Sequence, residues 1–189
     1  MNSTSSSIIE QLGISRDTLV ARGLCEYQEA GRLEVAEIED DGREHLLVPA
    51  AAHAWRKLKS AALDDQILVF IVSGFRSIER QEEIIRRKLR SGACIEDIVR
   101  VCAPPGYSEH HTGCAVDVST PGCPLLEESF KETLAFLWLA SHANSFGFYL
   151  SYPKGNSCGY QYEPWHWCFN DAHPITSAAD RKATPFAVR

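Results

Sequence analysis

The chain has no CxxC pair, no polybasic tail, no apolar run long enough to cross a bilayer and no internal repeat. Each absence removes a class of protein. Seven cysteines (Cys25, Cys94, Cys102, Cys114, Cys123, Cys158 and Cys168) are an odd number, scattered through a chain long enough to build a core without staples, so reduced thiols in a cytosol are the simplest expectation. A disulfide framework would require a targeting segment that has been removed, and would still leave one thiol unpaired. The opening residues, Met1 to Glu10, lack the basic and apolar regions of a signal peptide, so a cytoplasmic location is expected, or a periplasmic one if a targeting segment has been lost. A formal net charge of −6 without a basic patch excludes nucleic acid and anionic membrane as natural partners.

What is present fits a single globular domain: 189 residues, 44% hydrophobic and 23% charged. Residues 1–45 read as an N-terminal elaboration, 46–170 as the core and 171–189 as a polar tail. The acidic run Glu37-Ile38-Glu39-Asp40-Asp41-Gly42 predicts a solvated surface, with its Asp-Gly step a turn between hairpin strands. Pro49 starts a helix through about residue 63, and residues 67–72, β-branched and aromatic, form a short strand. Ser77 caps a helix whose acids lead and whose bases trail before Gly92, and a shorter helix spans residues 95–101. A breaker cluster at 102–106 enters a loop, followed by a strand from Gly113 with Asp117 and Val116 on opposite faces. Phe130, Leu134, Leu137 and Trp138 recur at core-helix spacing, with strands expected at 146–152 and 165–169. Helices mixed with non-alternating strands indicate an α+β fold, a small antiparallel sheet flanked by helices.

Chemistry concentrates in two clusters. Ser108-Glu109-His110-His111-Thr112-Gly113-Cys114-Ala115-Val116-Asp117 offers histidines and an acid, and Glu163-Pro164-Trp165-His166-Trp167 offers a further histidine and carboxylate. A hydrolytic zinc site needs three protein ligands, an open position for water and a carboxylate to take that water's proton. His110, Asp117 and His166 can be the ligands, with His111 adjacent as an alternative, and Glu163 the base. Pro164 forbids a helix between Glu163 and His166, so the two must converge through a turn. Against this, an isolated histidine is more often a hydrogen-bonded structural residue, and tryptophans beside it are more often core. Alternation puts Cys114 on the face opposite Asp117, and Cys168 suits a small buried hydrophobe, so neither is expected to ligate. His45, His53, His142 and His173 are expected to be surface or structural, Trp55 and Trp138 core, and Trp165 and Trp167 walls of the site.

Ser73-Gly74-Phe75-Arg76-Ser77 with Gln81, the pattern Ser108-x-His110-x-x-Gly113-x-Ala115-x-Asp117, Tyr152-Pro153 and Glu163-Pro164-Trp165-His166-Trp167 occur in an order that resembles the VanY-type D-alanyl-D-alanine carboxypeptidases of the LAS zinc peptidase superfamily. Phe75 stands where a tyrosine is usual. The resemblance implies a LAS/VanY-like zinc peptidase fold with Zn2+ on His110, Asp117 and His166, and leaves His111 a bystander. It further implies Glu163 as general base and then proton donor, and Arg76 as the group facing the oxyanion. Ser108 and Gln81 would hold the terminal D-residue of the substrate, with Tyr152 and Trp165 lining its pocket. The implied substrate is a peptidoglycan-derived peptide ending in D-alanine. Both D,D and L,D cleavage fall within the family, and the cytoplasmic reading tilts the expectation toward L,D cleavage of recycled tetrapeptides. An endopeptidase of the same superfamily is the alternative enzyme. A non-catalytic zinc-dependent cell-wall-peptide-binding module is disfavoured, because a structural zinc has no use for Glu163.

Overall fold

The computed structural model describes residues 3–170; the tail expected at 171–189, with His173, lies outside the described residues. The chain opens with two short helices, α1 (Ser3–Gln11) and α2 (Arg16–Ala21). Ile9 and Leu19 from these helices, and Leu12 and Ile14 from the link between them, are buried with Ile85, Ile98, Val99 and Cys102 from the middle of the chain. Burying side chains of this size stabilises by about 1.5–3 kcal/mol each, so this part of residues 1–45 is packed against the fold and not merely appended to it. Arg22 fastens the arrangement. Its Nε donates to Cys158 O at 2.8 Å, its Nη1 donates to Val99 O at 2.7 Å, and its guanidinium lies 4.5 Å from the Tyr160 ring centre.

The Asp-Gly step is the turn of a hairpin, β1 (Glu34–Ile38) against β2 (Glu44–Leu47), with Gly42 at φ +85°. The sequence predicts a solvated acidic run, but two of its acids are engaged by the fold. Glu37 accepts from Trp55 Nε1 at 2.8 Å and pairs with Lys59 at 2.9 Å, while Glu39 pairs with Arg43 and with the buried His45. Helix α3 (Pro49–Asp64) begins on its proline, whose missing N–H costs nothing in the first turn, and buries Ala51, Ala52, Trp55, Leu58 and Ala62 along one stripe. Gln66 then takes φ +63°, so the following strand starts three residues later than its composition suggests, as β3 (Phe70–Ser73). Ser77 caps α4 (Ile78–Arg90) by accepting from Arg80 N at 3.0 Å, and α5 (Ile95–Val101) follows.

The main sheet is wholly antiparallel in the order β3, β4 (Ala115–Ser119), β6 (His166–Phe169), β5 (Phe148–Leu150). Every residue of β4 and β6 is buried, which fits their central positions. The helix expected from Phe130 is split. Phe130 sits in a 3-10 turn (Glu128–Glu132), Thr133 caps α6 (Leu134–His142), and a second 3-10 turn (Ala143–Phe146) follows. The cap resets the helical phase, so Ala135, Trp138 and Leu139 face the core while Leu134 and Leu137 are exposed, a correction to the sequence pattern. Trp167 is likewise core and not site wall: strand alternation turns it away from His166, and it is buried opposite Val116 and against Phe136. Among the described residues no helix is long and apolar enough to cross a membrane.

Candidate metal centre

The centre forms where β3, β4 and β6 lie side by side. Ser73 is opposite Asp117, and Asp117 is opposite His166, so register alone brings the two sequence clusters together. The segment before β4 is a 3-10 turn (Glu109–Thr112) that Ser108 Oγ caps by accepting from His110 N at 3.4 Å. Gly113 ends it at φ +67°, where a Cβ would meet Leu33 Cδ2 at 2.9 Å. Gly74 is equally constrained, because a Cβ there would meet Leu46 O at 2.8 Å, and its own carbonyl accepts from His110 Nδ1 at 2.8 Å.

That last bond turns His110 Nε2 toward Asp117 Oδ2, at 3.2 Å. His166 Nδ1 lies 3.0 Å from Asp117 Oδ1. One ligand atom from each of His110, Asp117 and His166 falls within 4.8 Å of the others, and all three residues are buried. Nitrogen and oxygen ligands about 2.0–2.2 Å from a tetrahedral zinc would lie about 3.3–3.6 Å apart, so the cluster fits such an ion with small adjustments and leaves a fourth position unclaimed by these three. Burial pushes the Asp117 carboxyl up, but His110 and His166 outweigh it and hold it well below the usual carboxylate range. Burial lowers His110, which keeps a lone pair available. For His166 burial acts downward too, yet hydrogen bonds with Asp117 and Glu109 push it up to about 10.

Glu163 sits as the sequence requires, in a turn. His166 N donates to Glu163 O at 3.1 Å across Pro164, and Glu163 Oε2 lies 3.9 Å from His166 Nδ1. Burial raises its carboxyl from an ordinary 4.5 to about 7; Asp117 and Glu109 add to this, and His166 and Arg76 oppose it. A base near neutrality is what proton transfer at pH 7 favours. Arg76 is held on three sides: Nη1 donates to Gln81 Oε1 at 2.9 Å, Nη2 donates to Ser73 Oγ at 2.8 Å, and Nη2 lies 3.5 Å from Asp117 Oδ2.

Gln81 differs from its expected position against substrate. It is fully buried, and its Nε2 donates to Ala103 O at 2.6 Å and contacts Cys102 Sγ at 3.1 Å, so its polar atoms are engaged behind Arg76. Ser108 is buried beside His110. Tyr152 stacks on His166 with centroids 4.8 Å apart and an interplanar angle of 29°, and Trp165 is partly buried against the main core.

Two residues of the first cluster do more than sequence reasoning assigned them. His111 is fully buried and belongs to no ligand set; its Nδ1 donates to Arg76 O at 2.6 Å and its Nε2 accepts from Gly106 N at 3.1 Å, so it ties the Arg76 loop to the loop before Ser108. Burial lowers its pKa, matching the neutral form this pairing demands. Glu109 is buried with Oε2 2.9 Å from His166 Nε2. Its place between serine and histidine in an acidic chain carried no signal, since the partner lies 57 residues away.

The VanY family, described as D-alanyl-D-alanine carboxypeptidase, matches residues 44–172. A putative carboxypeptidase of Bacillus subtilis (strain 168), YodJ, is 36% identical over 121 residues, covering 61% of this chain and 43% of that protein; the chain thus spans less than half of that relative's length. The bifunctional D-Ala-D-Ala dipeptidase and D-Ala-D-Ala carboxypeptidase VanXYC of Enterococcus gallinarum is 29% identical over 146 residues, 74% of each chain. Among solved structures, the LdcB LD-carboxypeptidase superposes with a TM-score of 0.67 at 30% identity, over 75% of this chain and 69% of that one. A vancomycin resistance D,D-pentapeptidase, VanY, in complex with Zn(II), gives 0.58 at 27% identity, over 73% of this chain and 79% of that one. The match takes in the whole candidate centre and more than half of the sequence, and the chain belongs to the VanY family of D-alanyl-D-alanine carboxypeptidases.

Proposed function

We propose that this protein is a zinc carboxypeptidase that removes the C-terminal D-alanine from peptidoglycan stem peptides, with a mild preference for the L,D bond of tetrapeptides. The observation that carries the hydrolytic reading is a buried carboxylate raised to about 7, Glu163, within 3.9 Å of a His-Asp-His cluster. A structural metal site has no need of such a group. The L,D preference is supported by the likeness to LdcB, and the D,D alternative by the likeness to VanY and VanXYC.

In this reading His110 Nε2, one Asp117 oxygen and His166 Nδ1 hold the ion. When bound, zinc supplies Lewis-acid polarisation of the scissile carbonyl and acidifies a water. Glu163 would take a proton from the attacking water as its oxygen bonds to the scissile carbonyl carbon, and would return it to the amine of D-alanine as the C–N bond breaks. Arg76 faces the carbonyl oxygen as charge develops there, and its three protein contacts fix the guanidinium beforehand, so little reorganisation is needed during reaction. Gln81 serves by holding Arg76, and Ser108, Tyr152 and Trp165 border the space for the terminal residue.

The test incubates purified protein with muropeptide tetra- and pentapeptides, with and without chelator, and follows D-alanine release by mass spectrometry. Release from the tetrapeptide that chelation abolishes is expected. Release from the pentapeptide alone reverses the bond preference, and release from neither by zinc-loaded protein removes the carboxypeptidase reading.

A further inference from the structure

Glu109 is a buried carboxylate to which neither the ligand set nor the proton path gives a task. It lies in the 3-10 turn directly before His110, with 9% of its surface exposed, and its Oε2 stands 2.9 Å from His166 Nε2. The other ring nitrogen, Nδ1, faces Asp117 at 3.0 Å. From the geometry we infer that Glu109 is a positioning residue: by accepting the Nε2–H of His166 it fixes ring orientation and tautomer, presents Nδ1 to the metal, and ties the third ligand to the segment that carries the first. This rests on the zinc reading above.

The other two protein ligands are already braced. His110 has its far nitrogen held by the Gly74 carbonyl, and Asp117 is fixed within the central strand and by Arg76. His166 is flanked on its face by Tyr152, which stacks but offers the ring nitrogens no hydrogen bond in that arrangement. Without Glu109, rotation about the Cβ–Cγ bond could exchange the two nitrogens, and Nε2–H would be left without its acceptor in a buried site. A carboxylate also makes the imidazole a more basic ligand than a carbonyl would. Glu109 therefore contributes to zinc affinity without touching zinc or substrate.

The test measures zinc affinity of wild type, Glu109→Ala and Glu109→Gln by competition with a fluorescent chelator, alongside circular dichroism, melting curves and the visible spectrum of the cobalt-substituted proteins. Glu109→Ala is expected to bind zinc about 10–100-fold more weakly, with an altered cobalt spectrum, and to regain turnover as zinc is raised. Glu109→Gln keeps an acceptor oxygen and is expected to fall between the two; it also serves if the alanine variant does not fold. Zinc affinity and cobalt spectra equal to wild type in a folded Glu109 variant overturn the inference while leaving the zinc reading intact. Failure of wild type itself to bind zinc overturns the metal reading, and the inference with it.

Discussion

Replacing Glu163 by glutamine should make the metal-free protein more stable while abolishing its activity. The folded state raises this carboxyl from 4.5 to about 7, chiefly by burial, so it prefers the protonated form there more than the unfolded chain does. Between those two values the folded protein binds more protons than the unfolded one, and stability is lost as pH rises through that window. At about 1.4 kcal/mol for each pKa unit, the wild type carries a penalty of about 3 kcal/mol above pH 7 and almost none below pH 4.5. Glutamine has nearly the same shape and no charge, so the variant escapes the penalty. The other titrating groups, His111 and His166 among them, are common to both proteins and largely cancel in the difference. For a chain of this length about 3 kcal/mol corresponds to roughly 6–12 °C in melting temperature. The assay is a pair of melting curves in chelator at pH 8 and pH 5 for both proteins, with zinc binding and D-alanine release measured separately. The expected result is a large advantage for Glu163→Gln at pH 8 that shrinks at pH 5, zinc binding retained and turnover lost. An advantage that does not change with pH, or a wild type that is the more stable at pH 8, refutes the electrostatic reasoning; retained turnover refutes the role as base.

Arg76→Ala should keep zinc and lose about 10²–10³-fold in kcat, the usual cost of removing one preorganised oxyanion donor, as read from steady-state kinetics on the tetrapeptide. An effect confined to KM would instead assign Arg76 to ground-state binding. The rate should fall on the acid side as Glu163 protonates; kcat/KM against pH is expected to show a limb at or below about 7, since bound zinc favours the carboxylate, and no such limb should remain in Glu163→Gln. Zinc should raise the melting temperature with the logarithm of ligand excess, about 4 kcal/mol at a thousandfold excess over Kd, and the rise should vanish in His166→Ala.

Much of this centre was legible before the structure because its parts are local. Ser77 at a helix start, Pro49 in a first turn and the Asp-Gly hairpin act over a few residues, and the structure follows them. The pairing of His110 and Asp117 with His166 is suggested by complementary deficits in two clusters and selected by the resemblance to the VanY family, and strand register brings the three together. What sequence hid was non-local or depended on phase. Leu134 and Leu137 have core spacing, yet Thr133 restarts the helix and turns them outward. Trp167 sits one residue from a candidate ligand, and in a strand one residue is the difference between site and core. Gln81 was expected against substrate, but it is fully buried, its oxygen accepting from Arg76 and its nitrogen donating to Ala103 O. His111 and Glu109 carried no period or motif of their own; their meaning lies in partners 35 and 57 residues distant.

Those two residues also explain why the centre is built on so short a turn. Glu109, His110 and His111 are consecutive, and the tight 3-10 turn sends their side chains in three directions: to His166, to Asp117 and to the Arg76 carbonyl. One turn thus touches His166, supplies His110 and braces the Arg76 loop. The cost is a set of buried charges. Asp117, Glu109 and Glu163 converge on Arg76 and two imidazoles, and no apolar packing compensates an unmatched charge there. A divalent cation among these carboxylates would favour the charged form of Glu163 and so oppose the burial that raises it. The burial that makes the Glu163 charge costly in the metal-free fold is thus offset when a cation binds, which keeps the carboxylate available. A stable metal-free fold and a working site therefore place opposite demands on that residue, and the opposition is local to the turn and to the strand register that gather these groups.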